Sequence, residues 1–107
     1  MIELDELRDA VTSIANTDPD KVARCKYVVG DTPECLMSVY LHDVHGVHVD
    51  TLSELDVAGG TPFGAAARRL GLGISSDAFS WGNWVQMKQD GGLPWSEAVR
   101  ATDELYS

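Results

Sequence analysis

Leu4, Leu7, Val11 and Ile14 recur at spacings of three and four, with acidic residues and Arg8 between them. On a helix of about 3.6 residues per turn that spacing makes one apolar stripe, so it predicts an amphipathic helix over about residues 2–16. Asn16-Thr17-Asp18-Pro19 ends it. Arg24-Cys25-Lys26-Tyr27-Val28-Val29 carries β-type residues in weak alternation, bounded by Gly30-Asp31-Thr32-Pro33. It reads as one short strand or an extended segment near residues 24–29. No clear second strand is in view, and a lone strand leaves its ladder unsatisfied.

From Glu34 to about His45 a second helix fits. Leu36, Met37, Tyr40, Leu41 and Val44 fill a broad apolar sector, while Glu34, Ser38, His42 and His45 share the polar one. A sector that wide predicts a central helix with neighbours on more than one side, stopped by Gly46. Asp50 to Leu55 reads as a short helix, Thr51 and Glu54 having capping-box spacing. Thr61-Pro62 predicts an N-cap followed by proline at the first helical position, opening a helix that runs to Leu70 and ends at Gly71. Ser75-Ser76-Asp77 opens the next, which carries Phe79, Trp81, Trp84, Val85 and Met87 and takes Gly91 as its C-cap. Pro94 opens the last, where Trp95, Val99, Thr102 and Tyr106 form one stripe. The expected fold is mainly α: a small single-domain bundle, residues 1–107, of five or six short helices.

Composition narrows the function classes. A chain of 107 residues with 44% hydrophobic residues is long enough for one core. Seventeen acidic residues against eight basic ones give a formal charge of −9, which argues against non-specific nucleic-acid binding and against anionic membranes. No run approaches the roughly eighteen apolar residues of a membrane span. Met1-Ile2-Glu3-Leu4-Asp5-Glu6 places acids where a signal peptide needs bases. A cytoplasmic location follows as the expectation, with Cys25 and Cys35 reduced.

Candidate chemistry is thin. Cys25, His42 and His45 are the residues that could share a metal ion, His42 and His45 lying one helical turn apart. Cys35 and His42 cannot join on one helix, because seven residues separate them by about 10 Å of rise. His48 extends the run to His-x-x-His-x-x-His, with Asp43 and Asp50 nearby, a cluster of the side-chain type that proton switches use. Cys35, at a helix start, invites a nucleophile reading through the helix dipole. Solvated histidines and a buried structural cysteine are the preferred readings, and neither a cofactor nor an enzymatic activity is expected.

Ala65-Ala66-Ala67-Arg68-Arg69-Leu70-Gly71-Leu72-Gly73-Ile74-Ser75-Ser76-Asp77 resembles a helix-turn-helix segment, which over residues 62–90 would make a DNA-binding regulator with Arg68 and Arg69 as phosphate contacts. Gly73 lengthens the turn, however, and no base follows until Lys88, so the helix meant to read DNA lacks donors. The tryptophans say more. Trp95 lies on the inward stripe of the last helix. Trp81 and Trp84 spread too far around theirs for a single buried face. Either that helix is buried on two sides or one of the two is exposed; in the second case Trp81, Trp84 and Lys88 form the candidate protein-binding patch.

Gln89-Asp90-Gly91-Gly92-Leu93-Pro94-Trp95-Ser96-Glu97-Ala98-Val99 resembles a C-terminal pattern in small accessory proteins of actinobacteriophages and related actinobacteria. In those, Gln-Asp-x-Gly-x-Pro-Trp ends one helix and Ala-Val follows in the next. Thr32-Pro33-Glu34-Cys35-Leu36 and Gly46-Val47 are similar too, so the likeness spans about residues 25–106. It implies a viral or prophage accessory context and carries no assigned activity. Trp81-Gly82-Asn83-Trp84 departs from the more aliphatic pattern of that group. The resulting expectation is an acidic accessory protein of the host-cell cytoplasm that binds a protein, with a host protein as the partner to look for. Its acidity would also suit imitation of DNA before a nucleic-acid-binding target.

Overall fold

The computed structural model describes residues 1–23, 26–57 and 61–106. Among these, six helices and one hairpin follow in the order α1 (Leu4–Thr17), β1 (Val28–Val29), β2 (Thr32–Pro33), α2 (Leu36–His45), α3 (Val49–Val57), α4 (Phe63–Arg69), α5 (Ser76–Asp90) and α6 (Trp95–Leu105). The fold is the mainly helical bundle that the apolar spacings predict. Its axis is α5, which lies against α1, α2, α4 and α6. On α1, Leu7, Val11 and Ala15 are buried while Leu4 and Ile14 flank the stripe half-buried. Removing such side chains from water is what offsets the entropy of ordering the chain.

The extended segment does find a partner. Val28 pairs with Pro33 and Val29 with Thr32 in an antiparallel hairpin. Gly30 makes the turn at φ +66°, a two-residue hairpin turn with glycine first. The sequence hides β2 because Thr32-Pro33 carries turn residues, and proline has no N–H to give to a longer ladder. Glu34 N–H extends the pairing to the Tyr27 carbonyl at 2.9 Å. Two donors at the start of the hairpin are taken by α3: the Asp56 carboxylate accepts from Tyr27 N–H at 2.8 Å and from Val28 N–H at 3.2 Å. Residues 24 and 25 of the expected strand lie outside the described residues.

Two helix starts differ from expectation for one reason. α2 begins at Leu36 rather than Glu34, with Cys35 as N-cap, its Sγ accepting from Ser38 N–H. Ser38 is buried instead of solvated, its hydroxyl donating to the Cys35 carbonyl at 2.7 Å. Val44, expected in the apolar sector, is exposed. α4 begins at Phe63, and Thr61 does not cap it; the Thr61 hydroxyl donates to the Leu55 carbonyl. The first N–H groups of both helices are met from α5. Gln86 Oε1 accepts from Phe63 N–H at 2.6 Å and Asn83 Oδ1 from Gly64 N–H at 2.8 Å, while Gln89 Oε1 accepts from Leu36 N–H at 2.7 Å. Asn83, Gln86 and Gln89 are spaced by three, so one side of α5 carries all three amides. A cap from a distant helix fixes both where its target begins and where it lies.

α4 and α5 approach closely through two glycines. A Cβ on Gly64 would fall 2.4 Å from the Phe79 ring, and one on Gly82 2.3 Å from the Phe63 ring. Each helix thus seats its phenylalanine over the other's glycine. Elsewhere the ends are tied down by backbone. Ile2 bridges to Ile74, its N–H donating to the Gly73 carbonyl at 2.7 Å. Trp95 and Ser96 N–H groups open α6 by donating to the Lys21 and Pro19 carbonyls. Gly91 caps α5 as expected, but the left-handed residue of that turn is Gly92, at φ +103°.

Alanine ordinarily improves a helix interior over glycine by about 1 kcal/mol. At Gly82 the added carbon meets a buried ring, and overpacking of that kind costs about 1–3 kcal/mol. Gly82→Ala is therefore expected to lower the melting temperature, whereas a melt equal to or above the parent's would mean that α4 and α5 do not cross this closely.

Candidate functional site

The three tryptophans divide as burial dictates. Trp95 is 4% exposed, with Lys21 Nζ 4.8 Å above its ring, and Trp84 is the outward-facing one at 38%. Trp81 is fully buried, and this corrects its place in the candidate patch. Its indole N–H donates to Asp103 Oδ1 at 2.9 Å, the same oxygen that Arg8 Nε reaches at 3.0 Å. One carboxylate on α6 thereby holds α1 and α5 together, and Trp81 is a core residue.

What remains of the patch is sharper. Asp77, Ser80, Trp84 and Met87 form an exposed ridge along α5, at helical spacings of three and four; Ser76 and Asp90 are exposed at its two ends. Trp84 and Met87, the latter 56% exposed, make the apolar part of that ridge. Lys88 lies half-buried with its Nζ over the Trp84 ring, 5.8 Å from the ring centre.

Beside the ridge a cleft of about 430 Å³ opens between α5, the hairpin and the ends of α3 and α4. Met87 stands on its border, with Asn83, Gln86 and Asp90 from the same helix. Tyr27 forms its floor. The Tyr27 hydroxyl donates to the Thr61 carbonyl and accepts from Gln86 Nε2 at 3.0 Å, so the amide that caps α4 also fixes the tyrosine. Neither Tyr27 nor Asp56 stood out in the sequence as a site residue. The signal available was the Asn83, Gln86, Gln89 spacing, which marks a polar side on a helix otherwise rich in large apolar residues.

The other candidate residues are dispersed. Arg68 and Arg69 are exposed in the last turn of α4, and Arg68 lies over the Phe79 ring at 4.5 Å. The ridge of the helix meant to read DNA presents Asp77, Ser80, Trp84 and Met87, none of them a base. His42 Nδ1 donates to the Val47 carbonyl at 2.9 Å, while His45 Nε2 bonds the Tyr40 hydroxyl at 2.8 Å. The two histidines of the candidate metal set thus serve separate structural contacts, and Cys25 lies outside the described residues. Among the described residues no group of three or more histidine, cysteine or acidic side chains could hold a metal ion. His48 is exposed, 3.6 Å from Asp50. Cys35 is buried, and burial pushes its thiol up to about 11, so at neutral pH it is protonated and a poor nucleophile.

No protein-family model, curated protein or solved structure matches this chain. Among the described residues no helix is long and apolar enough to cross a membrane. The geometry itself therefore carries the functional reading.

Two outcomes follow for the purified protein. Trp81→Ala and Trp95→Ala, which empty buried sites, should each cost about 3–5 kcal/mol and unfold the protein or depress its melt sharply. Trp84→Ala should melt close to the parent; a collapse equal to that of Trp81→Ala would mean that Trp84 belongs to the core.

Alkaline pH should also unmake the fold. Burial raises Cys35 from 9.0 to about 11 and Tyr40 from 10.0 to about 12, Glu6 adding to the latter, and Tyr27 moves the same way. Groups held neutral in the fold contribute fully below their ordinary values, and that contribution is lost as pH rises toward their folded values. The urea midpoint should hold to about pH 9 and fall progressively above it, while a midpoint unchanged to about pH 11 would contradict the burial of these groups.

Proposed function

We propose that the protein acts by binding a protein partner through the outward ridge of α5, not by catalysing a reaction. The observation that carries this reading is the exposure of Trp84 next to Met87 while the other tryptophans are buried. Tryptophan anchors binding interfaces more than most residue types, because it excludes much water at little entropic cost, and methionine adapts to irregular partner surfaces. Lys88 over the ring keeps the free surface hydrated until a partner arrives. The formal charge of −9 favours a partner with a basic surface, since opposite fields speed encounter and penalise acidic competitors.

The likeness to actinobacteriophage accessory proteins tells where to look: a host protein met in the cytoplasm of an actinobacterial cell. A basic, nucleic-acid-binding target is consistent with the acidity. The protonated, buried Cys35 thiol and the structural engagement of His42 and His45 favour a binder over a thiol or metal enzyme.

The test is capture from an actinobacterial lysate with the parent protein and with the doubly substituted Trp84→Ala, Met87→Ala protein as baits. The reading expects at least one host protein held by the parent and lost by the variant, with both baits melting alike. Identical sets of retained proteins would remove the α5 ridge as the binding surface.

A further inference from the structure

We infer that the cleft beside Trp84 and Met87 receives a cationic side chain of the partner, an arginine in preference to a lysine. The inference rests on the α5 ridge being the docking face, and it names the chemistry of what docks there.

The cleft holds two carboxylates, Asp56 and Asp90. Asp56 is half-buried and spends one lone pair of each oxygen on the Tyr27 and Val28 amides. Asp90 Oδ1 accepts from Gln89 Nε2 at 3.1 Å. Among the described residues neither carboxylate has an ion-pair partner. Asp56 is half-buried and Asp90 exposed, both border the one cavity, and a cation lodged between them would meet two carboxylates that no other cation among the described residues engages. Their field reaches the floor of the cleft: Asp56 and Asp90 both oppose ionisation of Tyr27, and Asp90 opposes that of Cys35.

The shape of the lining selects among cations. Pro62, Met87 and the Tyr27 ring present carbon to the interior, which suits the flat, weakly hydrated faces of a guanidinium better than a compact, strongly hydrated ammonium. Lys26 also lines the cleft, is exposed, and forms no ion pair among the described residues. An exposed lysine on a flexible stem is an internal competitor that a better-fitting arginine displaces. Charge complementarity with the acidic chain points the same way, to a basic partner segment lying along the ridge.

The experiment uses isotope-labelled full-length protein and two probes, N-acetyl-arginine methylamide and its neutral isostere N-acetyl-citrulline methylamide. The arginine probe should shift the Met87 methyl and Asn83 side-chain amide resonances and saturate in the millimolar range, with citrulline giving no saturable shift. Asp90→Asn, an exposed change that keeps the oxygen facing Gln89, should weaken arginine binding about two- to five-fold, and Lys26→Ala should strengthen it by a similar factor. Equal binding of citrulline, non-saturating shifts spread over the acidic surface, or indifference to Asp90→Asn would each overturn the inference. If any of these occurs while lysate capture still depends on Trp84, the docking face stands and the arginine does not.

Discussion

A helix begins with N–H groups that have no carbonyl of their own helix to meet, and burying them unmet is costly. In this protein α2 and α4 both start against the flank of α5, where water is scarce and the usual short capping side chains are absent or insufficient. Asn83, Gln86 and Gln89 supply the acceptors. Each amide has a second end, and two of those ends are also used, Gln86 on Tyr27 and Gln89 on Asp90. The start of α4, the floor of the cleft and the start of α2 are therefore placed by a single row of residues on one helix. Apolar burial supplies most of the driving force, but it is non-directional. The amides decide which of many apolar arrangements is adopted.

The same helix needs two further adaptations to sit at the centre. Glycine at 82 lets α4 come near enough for Gln86 and Asn83 to reach its first turn, with Phe63 filling the space that a side chain would occupy. Trp81 is fully buried, and Asp103 on α6 accepts from its indole N–H while also holding Arg8 of α1. With amides on one side and Trp81, Ala78 and Val85 buried, α5 keeps only a narrow outward strip. That strip is where Trp84 and Met87 emerge, so the candidate binding surface is the remainder of a helix otherwise consumed by architecture.

The elements set by apolar spacing and by glycine or proline punctuation were legible in the sequence: α1, the paired helices around Gly91-Gly92 and the proline-opened α6. What stayed hidden depends on contacts between distant segments. β2 looks like turn residues because two residues of ladder carry no periodicity. Thr61 has the local signature of a cap, yet its hydroxyl turns to Leu55 because Gln86 and Asn83 already occupy the N–H groups it would have met. At the site, the spread of aromatic residues around α5 pointed either to burial on two sides or to one of Trp81 and Trp84 facing outward. Choosing between them required Asp103, 22 residues beyond Trp81. The cleft was illegible because Tyr27, Asp56, Thr61 and Asp90 come together only after three separate segments have docked.

The central claim is that side chains of α5 hold the first amides of α2 and α4, and native-state hydrogen exchange of Leu36, Phe63 and Gly64 tests it most directly. First-turn amides have no acceptor within their own helix, so without these caps they exchange quickly whatever the stability of the helix behind them. The account predicts that all three are protected nearly as well as amides in the middle of α5, and that they exchange only when the protein opens as a whole. Exchange at the rate of exposed turn amides, with the interior of α5 still protected, would contradict it.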